Sequence, residues 1–138
     1  NGQTLTTPLK SWCDLGQTPF SGTAVYTKRI QAPAGKKVFV DLGEVRYSAR
    51  LKVNGKDLGP RAWRPYRWDI SAALQPGENM LEVEVTNTLA NELSGNPERL
   101  KEVERNGWLA GSYYRIYSKF DPEMVPSGLM GPVRLLWH

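Results

Sequence analysis

The feature that most constrains the fold is a ten-residue run, residues 44–53, in which apolar and polar side chains alternate strictly. The apolar members are Val45, Tyr47, Ala49, Leu51 and Val53, separated by Glu44, Arg46, Ser48, Arg50 and Lys52. A period of two places the two sets on opposite faces, which is typical of a β-strand with one buried and one wet face. Asn54 and Gly55 follow directly, a pair that favours the positive φ angles of a type I′ hairpin turn. The run therefore predicts a hairpin in an antiparallel sheet.

The rest of the chain carries further short strand patterns separated by turn signals. Strands are predicted at residues 23–31, 37–42, 64–70, 80–88, 113–119 and 132–137, with a short pairing segment at 12–15. Turns are predicted at 32–36, 76–77 and 128–131, and a single helical turn at 71–74. About eight strands at this spacing predict an all-β fold, an antiparallel β-sandwich or jelly roll.

One segment departs from the strand pattern. Asn96, Pro97 and Glu98 supply a capping side chain, a proline suited to the first helical position and a carboxylate at the positive end of a helix. They predict a short helix near 97–106, closed by Gly107 and inserted between strands. Residues 87–96 are predicted to form a loop.

Composition limits the functional classes. A chain of 138 residues predicts a single domain, 1–138. The net charge of +4 comes from basic residues dispersed along the chain, so we expect no nucleic-acid partner. No apolar run is long enough to span a membrane, so we expect no membrane partner. Cys13 is the sole cysteine and is expected to be a buried thiol, and the sole histidine, His138, argues against a Ser-His-Asp triad.

Two segments have side chains suited to sugar binding, which needs a flat ring face beside groups that bond hydroxyls. The first is the densest mixture of rings and guanidinium groups in the chain, Trp63, Arg64, Tyr66 and Arg67. The second is the 87–96 loop, from which we select Asn91 and Glu92 as ligand-binding candidates. Each set has a structural alternative, because one ring of the first is expected in the core and the asparagines of the second also suit turns.

Other residues carry weaker signals. Trp108, Tyr113 and Tyr114 flank the helical insertion, where core packing is favoured over a rim site. Glu82 and Glu84 share one strand face, where carboxylates are usually solvated rather than paired in a cleft as glycoside hydrolysis requires. No catalytic residue and no metal ligand is therefore assigned.

The order of the short motifs carries a family resemblance. They are Phe-Ser-Gly-Thr at 20–23, Asp-Leu-Gly at 41–43, Val-Asn-Gly-Lys at 53–56, Pro-Tyr-Arg at 65–67, Asp-Ile-Ser at 69–71, Pro-Gly-Glu-Asn at 76–79, Leu-Glu-Val-Glu-Val-Thr-Asn at 81–87 and Gly-Leu-Met-Gly-Pro-Val at 128–133. This series resembles the galactose-binding-like β-sandwich, the sugar-binding domain of glycoside hydrolase family 2 and related bacterial glycosidases, including α-L-rhamnosidase-like enzymes. The resemblance covers about residues 12–137, and the helical insertion departs from it.

The resemblance implies a non-catalytic carbohydrate-binding or accessory module of a bacterial glycoside hydrolase involved in polysaccharide degradation, because the catalytic residues of such enzymes normally lie in another domain. The implied partners are a carbohydrate ligand and that catalytic domain, and the implied location is extracellular or periplasmic. The first residues, Asn-Gly-Gln, resemble mid-chain sequence, so a module of a longer protein or one with its leader removed is expected. Such sandwiches often hold a structural calcium ion, but no spaced acidic loop stands out and no cofactor is assigned.

Two alternatives stay open because fold resemblance alone does not choose a function. The first is a purely structural domain that packs beside the catalytic domain without binding sugar. The second is a free-standing glycosidase, which would require a pair of carboxylates in one cleft.

Overall fold

The computed structural model describes residues 4–17, 19–33, 35–105 and 125–137. In these ranges the strands are β1 (Thr23–Gln31), β2 (Val38–Asp41), β3 (Glu44–Arg46), β4 (Ser48–Val53), β5 (Lys56–Arg61), β6 (Arg67–Asp69), β7 (Glu78–Thr86), β8 (Gly128–Gly131) and β9 (Arg134–Trp137). The helices are a 3-10 turn at Ser71–Ala73, α1 (Ala90–Gly95) and α2 (Pro97–Arg105). No described helix has the length and apolar character needed to cross a membrane.

The strands form an antiparallel sandwich, as the sequence predicts. One layer is a four-stranded sheet in the order β1-β7-β4-β5, and the other is built from β6-β2-β9 and the pair β3-β8. Buried side chains from both layers form one cluster, drawn mainly from the inward positions of β2, β4 and β7: Val38, Val40, Ala49, Leu51, Val53, Leu81, Val83 and Val85. The alternation seen in the sequence is therefore the pattern of inward and outward side chains in the folded sheets.

The alternating run at 44–53 is not one continuous strand. It divides at Tyr47 into β3, which pairs with β8, and β4, which pairs with β7 and β5. The Tyr47 backbone N–H still donates to the Thr86 carbonyl at 3.1 Å, so the change of partner occurs within one residue. Periodicity did not reveal the division because the inward-outward alternation continues across it.

The predicted hairpin is confirmed. Asn54 and Gly55 have φ angles of 51° and 80°, and β4 and β5 pair antiparallel on either side of them. The Asn54 side chain also donates to Asn79 Oδ1 at 2.8 Å and accepts from the Met80 backbone N–H at 2.9 Å. The turn residue thus also attaches the hairpin to the start of β7.

The other strand predictions have mixed outcomes. The segment 23–31 is confirmed as β1, and shorter or shifted strands occupy the ranges predicted for β2, β6, β7 and β9. The prediction of a strand-pairing segment at 12–15 is wrong, because these residues form a turn in which the Leu15 N–H donates to the Trp12 carbonyl at 3.2 Å. The prediction of a turn at 128–131 is also wrong, because those residues form β8. The strand predicted at 113–119 lies outside the described residues.

The helical region is longer than predicted. The helix near 97–106 is confirmed as α2, and the Asn96 side chain accepts the Arg99 N–H at 3.1 Å as a cap. Its predicted end at Gly107 lies outside the described residues. Residues 90–95 were expected to be loop but form α1, because the asparagines and serine that suggested a loop are tolerated in a short helix that packs Leu93 inward.

Candidate functional site

The candidate residues other than Arg67 lie on segments at one end of the sandwich. Strand register places the start of β1 beside the end of β7, the start of β4 beside that same end, and the end of β5 beside the start of β4. The segments 19–22, 43–47, 62–66 and 87–95 therefore emerge at this end. Loops gathered on a rigid sandwich are a common location for binding residues.

A groove of about 510 Å³ lies between two of these segments. Its lining residues are Val45, Arg46, Tyr47, Ala62, Trp63, Arg64 and Tyr66. Trp63 is 77% exposed and is the most exposed large apolar side chain among the described residues. An indole held this far out of the core contributes little to folding and presents its ring to a ligand or a partner.

Tyr66 holds the two walls of the groove together. Its hydroxyl donates a hydrogen bond to the Tyr47 carbonyl, and its own carbonyl accepts the Leu42 N–H at 2.9 Å. The side chain is only 5% exposed. The expectation that the Tyr66 ring stacks on a sugar is therefore corrected: the ring belongs to the core and positions the wall that carries Trp63.

The lining residues that the structure describes include two guanidinium groups and no acidic side chain. Arg46 donates from Nε and Nη2 to a single oxygen of Glu44, at 3.1 and 2.8 Å. Arg64 is exposed and makes no ion pair with any described residue. The alternation predicts Arg46 on a wet strand face but not in the groove, because the division of the 44–53 run at Tyr47 leaves no trace in the pattern.

Arg67 lies elsewhere, on the outer face of the β6-β2-β9 sheet. Its guanidinium carbon is 4.5 Å from the centroid of the Phe39 ring, a cation–π contact across neighbouring strands. Strand alternation separates it from its neighbours Tyr66 and Trp68, which both point into the core. Arg67 therefore does not belong to the candidate groove.

The second candidate set is not brought into the groove. Asn91 is 1% exposed, and its Nδ2 lies 3.5 Å from the Cys13 sulfur, so the expected contact between this amide and a ligand is corrected. Glu92 is half-buried and has its Oε1 3.6 Å from Arg99 Nε. No residue of α1 lines the groove. The strands that lead to the two sets, β7 and β5, are two spacings apart in the sheet, about 10 Å.

Cys13 is half-buried rather than fully buried as predicted. Its thiol donates to the Val125 carbonyl at 3.4 Å, so it joins the first segment of the chain to the segment before β8. Trp108, Tyr113 and Tyr114 lie outside the described residues.

The paired carboxylates of β7 belong to a cross-strand charge network. Lys52 Nζ contacts Glu84 and lies 2.9 Å from Glu82 Oε1, and these two hydrogen bonds raise the pKa of Lys52. Arg50 contacts both Glu84 and Asp57 on the same outer face. The network matches the expected solvated strand face and lies away from the groove. No group of three or more potential metal ligands occurs within the described ranges.

Comparison with known proteins identifies the kind of sandwich. No protein-family profile matches the chain. A protein named "Putative beta-glucuronidase" from Formosa agariphila is 33% identical over 153 aligned positions, which cover 92% of this chain and 13% of that protein. The structure of a rhamnosidase from Novosphingobium sp. PP1Y matches 95% of the chain at 36% identity with a TM-score of 0.69. The predicted resemblance is confirmed: this is a β-sandwich of the kind found in glycoside hydrolases.

Structures of β-glucuronidases extend the match to the glycosidase sandwich at lower similarity. The enzyme of Bifidobacterium dentium, complexed with coumarin-3-O-glucuronide, matches 56% of the chain at 26% identity and a TM-score of 0.50. The enzyme of Ruminococcus gnavus, at 21% identity and a TM-score of 0.54, shows the shared fold alone. This chain covers only 12–17% of the length of these relatives.

Proposed function

We propose that this sandwich is a non-catalytic, carbohydrate-binding accessory module of a larger bacterial glycoside hydrolase that degrades polysaccharides outside the cytoplasm, in the periplasm or beyond the cell. The similarity of nearly the whole chain to segments of a rhamnosidase and of a β-glucuronidase supports the enzymatic context. Because the chain spans a small part of those proteins, catalysis is assigned to another part of the parent protein.

The groove beside Trp63 is the proposed sugar site. The observation that carries this assignment is a tryptophan ring 77% exposed next to an exposed arginine that pairs with no carboxylate of the described ranges. Sugars present apolar C–H faces that pack on aromatic rings, and their hydroxyls accept hydrogen bonds from guanidinium groups. Trp63 supplies the ring, while Arg64 and Arg46 supply the donors.

A packing domain without sugar binding is the second candidate. It is favoured by exposed apolar side chains outside the groove, of which Leu89 and Val25 are each 55% exposed and Trp137 is 49% exposed. A contact with the parent enzyme would cover such residues. Trp63 differs from them because it lines a groove that also contains the charged donors Arg46 and Arg64.

The test is a screen of the pure chain against immobilised plant and host polysaccharides, with Trp63→Ala and Trp137→Ala beside the wild type. Both variants remove an exposed tryptophan, but only Trp63 lines the groove. We expect the Trp63 variant to lose affinity by about tenfold or more, the loss of roughly 1.4 kcal/mol of ring stacking, and the Trp137 variant to bind like the wild type.

Other outcomes favour other functions. If the wild type binds none of the polysaccharides in the panel, that result would contradict sugar binding and favour the packing domain. Turnover of an aryl glycoside by the pure chain, lost when one carboxylate is replaced, would favour the free-standing glycosidase.

A further inference from the structure

We infer that the groove selects pyranose units that carry a carboxylate, that is, uronosyl residues, over neutral sugars. This inference rests on the proposed sugar site and adds the chemical class of its ligand. It is carried by the charge of the groove, because its lining residues in the described part of the chain include two arginines and no acid.

The bonding of the two arginines leaves donors free. Among the described carboxylates, Glu44 alone bonds to Arg46, and one of its oxygens accepts from both Nε and Nη2. Nη1 of Arg46 has no hydrogen-bond partner among the described residues, and the whole Arg64 guanidinium has none. Guanidinium hydrogens without an acceptor in the described ranges favour a ligand that brings its own negative charge.

A carboxylate fits these donors better than a hydroxyl. A guanidinium group is a planar fork that matches the two oxygens of a carboxylate, and the charge-assisted bonds that result are about twice as strong as neutral ones. A uronosyl unit has this carboxylate attached to its ring, so the same unit offers a C–H face to Trp63 and an anion to Arg64. A neutral sugar would occupy the ring contact and leave the arginine charge uncompensated.

Several other arginines and lysines, all in the described ranges, have partners of their own. On the outer face of the four-stranded sheet, Lys52 and Arg50 are each paired with carboxylates. Arg67 is stacked on Phe39, and Arg29 is 3.4 Å from Glu78 at the opposite end of β1. Among the described residues, Trp63 and Arg64 combine an exposed indole with an adjacent unpaired arginine in one groove.

The experiment is a calorimetric titration of the chain with trigalacturonate and with methyl β-D-glucuronide, each compared with its methyl ester. The ester keeps the ring and removes the charge. A sulfated trisaccharide of equal charge is the third probe. Arg64→Gln and Arg46→Gln test the groove, and Arg29→Gln is the matched control, since it removes an exposed arginine far from the groove.

We expect at least one acid to bind about tenfold or more tightly than its ester, and this preference to weaken with added salt. Arg64→Gln should abolish most of the preference, Arg46→Gln part of it, and Arg29→Gln none of it. Circular dichroism should show that all three variants are folded, because each altered side chain is solvent-accessible.

Four results would overturn the inference. Equal affinity for acid and ester, with binding still lost in Trp63→Ala, would reject the carboxylate and leave the sugar site standing. Equal loss in the Arg64 and Arg29 variants would show general attraction to a basic protein. Tighter binding of the sulfated probe would assign a different anion. Absence of binding by every acidic and neutral glycan would reject the sugar site itself.

Discussion

At Gly43 the backbone leaves no room for a side chain. Its φ is +66°, and a β-carbon there would lie 2.7 Å from the Gly131 carbonyl carbon and 2.8 Å from the Pro132 oxygen. The Asp41 carboxylate fixes this bend by accepting the Gly43 N–H at 2.9 Å. The glycine thus allows the chain to pass closely over β8 as it enters β3, the strand that leads to the groove.

Gly35 offers a matched comparison, because its φ is +69° and nothing lies within 4 Å of a β-carbon built there. We expect Gly35→Ala to lower the free energy of unfolding by about 1 kcal/mol, the cost of a left-handed alanine. Gly43→Ala should lower it by about 3 kcal/mol or more, because backbone overlap is added. Urea denaturation of both variants measures this, and equal losses would contradict the close approach.

The asparagines show what sequence alone does not resolve at this scale. Asn79 is 1% exposed, and its side chain bonds to the backbone of Gln75 and Gly77 and to Asn54. The Asn87 side chain likewise bonds to backbone, accepting the Gly22 N–H and donating to the Phe20 carbonyl. Asn91 was selected as a ligand contact but is buried beside Cys13. All three residues are asparagines, and the segments that pack over each one from elsewhere in the chain decide whether its amide bonds to backbone or reaches solvent.

At the scale of elements, the end of β6 shows how a short connection is stabilised. Asp69 Oδ1 accepts from the Ser71 hydroxyl at 2.6 Å and from the Ser71 N–H at 3.0 Å, which starts the 3-10 turn. The Ser71 hydroxyl oxygen in turn accepts the Val38 N–H at 2.9 Å. These bonds from Ser71, with a smaller contribution from Lys37, lower the pKa of Asp69 below its usual value.

This connection predicts a component of acid sensitivity. Because the pKa is lower in the folded state, the ionised carboxylate stabilises the fold at pH values above its ordinary pKa, and that stability is lost as the pH falls through the folded value. We expect Asp69→Asn to lose less stability than the wild type between about pH 4 and pH 2. Unfolding free energies across this window measure the difference.

Asp14→Asn is the control, since Asp14 is exposed and accepts no hydrogen bond from the described residues. The unfolding free energy of this variant, plotted against pH, should run parallel to that of the wild type. Parallel curves for Asp69→Asn as well would contradict the proposed role of the Ser71 bonds.

Elements were predictable where the signal is local. The alternation at 23–31, the Asn54–Gly55 turn and the Asn96 cap are each decided within a few residues, and all three are confirmed. β8 was predicted as a turn because its glycines suggest one, yet they are required where a β-carbon on Gly128 would lie 2.4 Å from Trp12 Nε1. In the same way Trp63 and Arg64, which line the groove, were selected from their residue types, whereas the place of Arg46 in the groove depends on which strands β3 and β4 pair with.

For the molecule as a whole, the core is one cluster shared by both layers. Trp12 joins the first segment of the chain to it, since its indole N–H donates to the Tyr26 hydroxyl at 2.6 Å. That hydroxyl also accepts the Leu129 N–H at 3.1 Å, so segments far apart in sequence meet at one atom. Neither layer buries its inner face without the other.

We therefore expect the chain to unfold in a single cooperative transition, as the single-domain prediction for 1–138 requires. Urea titrations followed by tryptophan fluorescence and by far-ultraviolet circular dichroism should give coincident curves. The buried Trp12 and Trp68 report on packing, and the dichroism reports on the strands. Two separated transitions would show that part of the chain folds independently of this core.

The attachment of the groove wall through Tyr66 has a consequence for evolution. The hydroxyl of a buried tyrosine holds the segment in place, while the outermost residues, Trp63 and Arg64, make no hydrogen bond or ion pair with side chains in the described ranges. Substitutions at those two positions are therefore nearly free of structural penalty, and single mutations there can change the surface of the groove without disturbing the fold. Relatives that retain the tyrosine should consequently differ most in the two residues that precede the proline.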